Sequence, residues 1–130
     1  MSAEHNKALV RRFFETQEEV GRGKADVDVL DQMLAPGLVA HTKLLPGQQP
    51  AREGYKQAVA ELSATSSNAR FLIEEQVAQG DKVWTRLIVR STHNRREIMG
   101  VAPTGREMSF KFSQSWRGGR SPPTISPLGR

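Results

Sequence analysis

The apolar residues of this 130-residue chain change their spacing once, near residue 68, and that change decides the fold class. Before it they recur every three or four residues, the period of a helix with one buried face. After it they alternate, the period of a strand with one face inward. Leu9, Val10, Phe13, Phe14, Gln17 and Val20 form one stripe of a helix over about residues 3–20, which Gly21 and Gly23 stop. Asp26 is placed to cap a shorter helix with Val27, Leu30, Met33 and Leu34 buried, and Pro36-Gly37 end it. Leu38 to His41 reads as a brief extended piece and Leu45 to Ala51 as a loop. A third helix is expected over Arg52 to Ala64, with Tyr55, Val59 and Leu62 inward, followed by a linker over Ser63 to Asn68.

Three strands follow. Arg70 to Ala78 carries Phe71, Ile73 and Val77; Gly80-Asp81 make a turn; Lys82 to His93 is rich in β-branched and aromatic residues. In Met108 to Trp116, Phe110, Phe112, Gln114 and Trp116 face one way and Lys111, Ser113 and Ser115 the other. Helices first and antiparallel strands after give an α+β fold: a cone-shaped, curved antiparallel sheet covered by three N-terminal helices. Such a cone keeps a pocket at its open end.

The chain is long enough for one domain, and two boundaries are expected: a folded body over 1–116 and a different tail over 117–130. The tail has three prolines, three glycines and two large apolar residues, Ile125 and Leu128, so a central strand is excluded and a disordered or loosely docked segment is expected. Net charge is +5, but Arg117, Arg120 and Arg130 supply three basic residues there with no acid. The high isoelectric point is therefore weak support for nucleic-acid binding, and no nucleic-acid partner is expected. With no cysteine, disulfides, thiolate nucleophiles and thiolate metal sites are excluded. Met1 to Lys7 is polar, and no apolar run nears the roughly 20 residues of a membrane span. A cytoplasmic protein without a membrane partner is expected.

Several motifs, in order, carry a resemblance: Asn6 to Phe14 in the first helix, Leu34-Ala35-Pro36, His41, Pro46-Gly47, and Arg52-Glu53-Gly54-Tyr55-Lys56 opening the third helix. They continue with Ile73-Glu74-Glu75, Gly80-Asp81-Lys82-Val83, Thr92-His93 and the run Met99-Gly100-Val101-Ala102-Pro103-Thr104-Gly105-Arg106, the most specific of them. Over about residues 5–116 the chain resembles the SnoaL-like polyketide cyclases and ester cyclases, in the superfamily of nuclear transport factors and ketosteroid isomerases. The resemblance implies intramolecular aldol chemistry without a cofactor, on a small apolar carbonyl ligand, and a homodimer formed through the sheets. It also implies a catalytic aspartate on the last long strand, after an Asp-Gly-Lys-type turn. This sequence has neither, its last aspartate being Asp81, so catalysis stays open beside a non-catalytic ligand-binding or interaction module.

The expected ligand pocket is Phe14, His41, Tyr55, Trp84, Phe112, Gln114 and Trp116. His41 is the candidate acid or base, against a partly exposed loop histidine. Gln114 lies on an otherwise apolar strand face and either contacts a substrate oxygen or bonds a backbone group. The aromatic residues either wall a cavity or are plain core. His93 is read as bracing a turn and His5 as solvated, and the three histidines make no metal site. Arg86, Arg90, Arg95 and Arg96 are read as a solvated outer face or a dimer contact. Glu74 or Glu75 must face outward if the strand alternates.

Overall fold

A computed structural model describes residues 3–35, 51–97, 100–118 and 125–127. Helix α1 (Ala3–Gly21) is followed by a 3-10 helix (Val27–Gln32) and helix α2 (Arg52–Thr65). Strands β1 (Ser67–Gln79), β2 (Lys82–Thr92), β3 (Glu107–Gly118) and β4 (Ile125–Pro127) form one antiparallel sheet in the order β1-β2-β3-β4. The α+β cone with helices on one sheet face is the observed architecture.

α1 buries Val10, Phe13, Phe14, Gln17 and Val20, the stripe its sequence spacing predicts, and adds Asn6 one turn earlier. The Asn6 amide explains its burial, because Nδ2 donates to the Gly80 carbonyl at 3.1 Å and ties α1 to the β1–β2 turn. Asp26 caps the 3-10 helix by accepting the Asp28 N–H at 2.8 Å. The expected linker over 63–68 is shorter than its composition suggests. α2 runs to Thr65, and Asn68, at φ 56°, lies inside β1 at an irregularity between Ser67 and Arg70. Asparagine tolerates that left-handed backbone, so the strand continues through it.

The register decides what faces the helices. Phe71, Val89 and Phe110 share one row; Ile73 and Leu87 another; Ala78, Val83 and Trp116 a third. β1 gains one extra residue between Ile73 and Glu75. This bulge resets the alternation, so Glu74 and Glu75 are both exposed and both pair with Arg86, at 3.6 and 3.5 Å. Gln76 and Ala78 turn inward as a result, and Val77 turns outward, 53% exposed. The tail contributes β4, three residues against the end of β3, with Pro127 opposite Trp116. An edge position is where a strand tolerates proline.

Lys56 fastens α2 to the 3-10 helix. Its side chain is nearly enclosed, and Nζ lies 2.7 Å from Asp28 Oδ1, 3.0 Å from Asp31 and 3.2 Å from Glu53. The hydrogen bond to Asp28 raises the Lys56 ammonium above its ordinary range, and the same bond holds the Asp28 carboxyl below the usual carboxylate range. Asp28 therefore contributes stability that is present above about pH 4 and lost as acid protonates it. Lys56 contributes stability that is present below about pH 10 and lost as alkali removes its proton. Lys56→Met leaves Asp28 and Glu53 without this cation and Asp31 with Arg52 alone, 3.3 Å away, and should lower the thermal midpoint at neutral pH by several degrees. The gap to the parent should narrow as pH falls through about 4 and below, because Asp28 is then protonated and its pairing with Lys56 is lost in the parent too. Thermal melts across that range check this, and a gap independent of pH contradicts it.

Candidate functional site

Under the helices three aromatic rings meet from three elements: Phe13 of α1, Tyr55 of α2 and Trp116 of β3. Their centroids lie 5.1 Å (Phe13–Trp116), 5.7 Å (Phe13–Tyr55) and 6.1 Å (Tyr55–Trp116) apart, the two Trp116 contacts being edge-to-face. Such pairs add about 0.5–1.5 kcal/mol each beyond the area they bury. Polar atoms are set into this apolar wall. Gln17 Nε2 donates to the Tyr55 hydroxyl at 3.0 Å, and the Gln114 side chain is near enough to pull that phenol's pKa down. Gln114 Oε1 and Trp116 Nε1 are buried and have no partner among the described residues. An unmet buried donor or acceptor costs about 1–3 kcal/mol, so two of them two residues apart on one strand face need a reason.

The polar character continues across the sheet. Gln76, Thr85 and Gln114 are direct cross-strand neighbours on the inner face. Gln76 Nε2 donates to Thr85 Oγ1 at 3.4 Å and to the Lys7 carbonyl at 3.3 Å, and Arg11 Nη2 donates to Gln76 Oε1 at 3.0 Å. Thr85 is fully enclosed. A polar row thus crosses three strands between two apolar ones.

Of the residues expected to line a pocket, Tyr55, Gln114 and Trp116 are brought together. Phe14 turns the other way and stacks on Phe71 at 5.4 Å, walling a groove of about 320 Å³ between α1 and β1. Trp84 is a correction: its even place in β2 carries it to the outer face, between Val77 and Ser115. A tryptophan in a strand reads as core from composition alone, and only the register settles its face. His41 and the side chain of Phe112 lie outside the described residues. His93 is buried and braces the β2–β3 connection. Its Nε2 is 2.8 Å from the Arg96 carbonyl, and its backbone bonds Arg106 and Gly105. Arg95 donates to the Ser63 carbonyl at 2.9 Å, Arg96 pairs with Glu61, and Arg86 pairs with the two bulge acids. Sequence reading missed Gln76 and Thr85 as members of the site. Thr85 lies in phase with Val83 and Leu87, a legible signal, whereas the bulge hides the phase of Gln76.

All 14 acids of the chain fall within the described residues, and none is fully buried. Glu18 and Asp31, the two that are half-buried, are engaged with the Phe71 N–H and with Lys56. No carboxylate therefore stands at the Tyr55–Gln114–Trp116 cluster to take a proton from carbon. The cluster can donate and accept hydrogen bonds to a guest, which is the electrostatic half of carbonyl chemistry.

A helix-roofed, curved antiparallel sheet with a polar row on its inner face is the nuclear-transport-factor-2-like architecture. A family model for the SnoaL-like polyketide cyclases matches residues 8–117, and the chain belongs to that family. Solved structures agree. IdmH from Streptomyces antibioticus, a proposed polyketide cyclase, is 25% identical, with 95% of this chain and 90% of that one covered and a TM-score of 0.73. AclR from Streptomyces galilaeus, a proposed hydroxylase, is 18% identical over 98% of this chain and 90% of that one, with a TM-score of 0.76. A SnoaL-like polyketide cyclase from Agrobacterium tumefaciens is 14% identical over 98% and 91%, with a TM-score of 0.70. No curated protein matches the chain. One fold thus spans proteins given different activities, so the site must carry the functional argument.

Burial pushes the Tyr55 phenol far above its ordinary value, against the hydrogen bonds from Gln17 and Gln114 that pull it down. Tyr55 is the chain's one tyrosine, so its absorbance titration is unambiguous. Phenolate should appear only together with unfolding as alkali is added. A reversible titration near pH 10 in the folded protein would contradict the enclosure of this cluster.

Proposed function

We propose that this chain binds a small apolar carbonyl compound against the inner face of its sheet, under α1 and α2. Trp116 Nε1 donates to the ligand's carbonyl oxygen, and Gln114 Oε1 accepts from a hydroxyl or other donor on the ligand. The single observation that carries this reading is a pair of buried polar atoms on an aromatic wall that have no partner among the described residues. Family membership supports it, since this fold holds small molecules in a pocket. Binding without cyclisation is favoured over catalysis by the position of the 14 carboxylates, none of them fully buried. Cyclisation or isomerisation of the ligand would need a base beside the cluster, and the sequence leaves His41 as its candidate.

Calorimetric titration with 1-tetralone, an apolar ketone, tests the donor half. Trp116→Phe keeps the ring and removes the donor, and should weaken binding about tenfold, the worth of one buried hydrogen bond. Trp84→Phe, on the outer face, should leave affinity unchanged. Equal losses in both variants, or no binding by the parent, would overturn the reading. A hydroxyketone of the same ring size should lose affinity in Gln114→Leu, whereas 1-tetralone should not.

We infer further that two copies associate through the outer sheet face, where Val77 and Trp84 are cross-strand neighbours. Light scattering should then give twice the 14.5 kDa chain mass, and a monomer would end that inference.

A further inference from the structure

β1 forms one edge of the sheet among the described strands. An edge strand presents unpaired N–H and C=O groups and is a template for another strand. On this edge one side chain intervenes. Glu18, reaching over from α1, accepts the Phe71 N–H at 2.7 Å through Oε2. The bond is charge-assisted, with the length of a strong one. Glu18 is only half-buried and Glu15, one turn before it, is exposed, so burial does not force the carboxylate onto the backbone.

The N–H that Glu18 occupies is one that a fifth strand would need. We propose that Glu18 guards this edge, and that without it β1 pairs antiparallel with β1 of a second copy. The sequence of the edge fits itself about a two-fold axis at Leu72. In an antiparallel strand the residue that points its N–H outward also points its C=O outward, and alternate residues do the same. Phe71 and Ile73 are therefore the outward pair. Symmetric pairing sets Phe71 against the partner's Ile73 with both bonds formed. Leu72, 38% exposed, then meets the partner's Leu72, and Arg70 meets the partner's Glu74. Arg70 and Glu74 are both exposed and carry opposite charges, so each copy supplies one half of each of two ion pairs, formed beside the exposed pairs that Arg70 makes with Glu107 at 3.4 Å and Glu74 with Arg86 at 3.6 Å. Phe71, Leu72 and Ile73 also line the groove walled by Phe14, which gives the pairing an apolar surface.

The pairing stretch is short because β1 is irregular on both sides of it, between Ser67 and Arg70 and between Ile73 and Glu75. Bulges bend a strand away from a flat neighbour. Only Arg70 to Ile73 keeps regular pairing, with Glu74 the bulged residue that ends it, and one carboxylate across the Phe71 N–H is enough to block so short a ladder.

Glu18→Ala and Glu18→Gln separate this role from general acidity, because glutamine keeps an oxygen that can accept the Phe71 N–H. Light scattering from micromolar to about 1 mM should show the alanine variant rising to at least twice the parent's mass, whatever that mass is. The glutamine variant should stay at the parent's mass. Arg70→Glu added to Glu18→Ala sets like charges against each other and should return the mass to the parent's value. An alanine variant that keeps the parent's mass throughout, or assembly that the second substitution does not reverse, overturns the proposal. Amide exchange on the parent gives an independent reading: the Phe71 N–H should be protected at least tenfold relative to an unstructured amide, and an unprotected one would also overturn it.

Discussion

One extra residue in β1 governs which side chains the helices meet. Without the bulge between Ile73 and Glu75, strict alternation would put Val77 inside and Gln76 outside. With it, Gln76 joins Thr85 and Gln114 in a single polar row, and the small Ala78, opposite Val83, packs against the core in place of Val77. The bulge also sends Glu74 and Glu75 outward together to a shared Arg86. A register slip moves every side chain beyond it to the opposite face, so a single-residue irregularity has consequences along the rest of the strand.

The site that results is apolar in its walls and polar at a few fixed atoms. Phe13, Tyr55 and Trp116 hold three elements together, and Gln17 fixes the Tyr55 hydroxyl. Small-molecule sites have this composition, with orientation set by a few hydrogen-bonding groups in a hydrophobic enclosure. The donors are suited to a carbonyl oxygen, while every carboxylate lies elsewhere. Aldol chemistry needs hydrogen-bonding groups and a proton acceptor in one place, and among the described residues only the hydrogen-bonding groups meet at this cluster.

Much of this was legible in the residues. The α1 stripe, the Asp26 cap, the Gly80-Asp81 turn and the inward phase of Gln114 and Trp116 follow from spacing and turn chemistry, because local rules fix them. Trp84 was misread because a large aromatic residue suggests burial, whereas its face depends on register and its outer neighbours Val77 and Ser115 give it only partial cover. Gln76 was invisible because periodicity cannot count through a bulge. One clue existed: Glu74 and Glu75 are adjacent acids in a strand with one buried face, and alternation would have buried one of them. Lys56 gave no signal of its own in the sequence, because its burial depends on Asp28 and Asp31, which only the fold brings beside it.

The chain's two tryptophans lie on opposite faces of one sheet, Trp116 within the cluster and Trp84 outside it. Their indole N–H resonances in a nitrogen-edited spectrum therefore report the two faces separately. Addition of 1-tetralone should move the Trp116 indole proton downfield as it gains an acceptor, and leave that of Trp84 in place. A shift confined to Trp84, or a Trp116 signal that ignores the ketone while binding proceeds, would contradict the account.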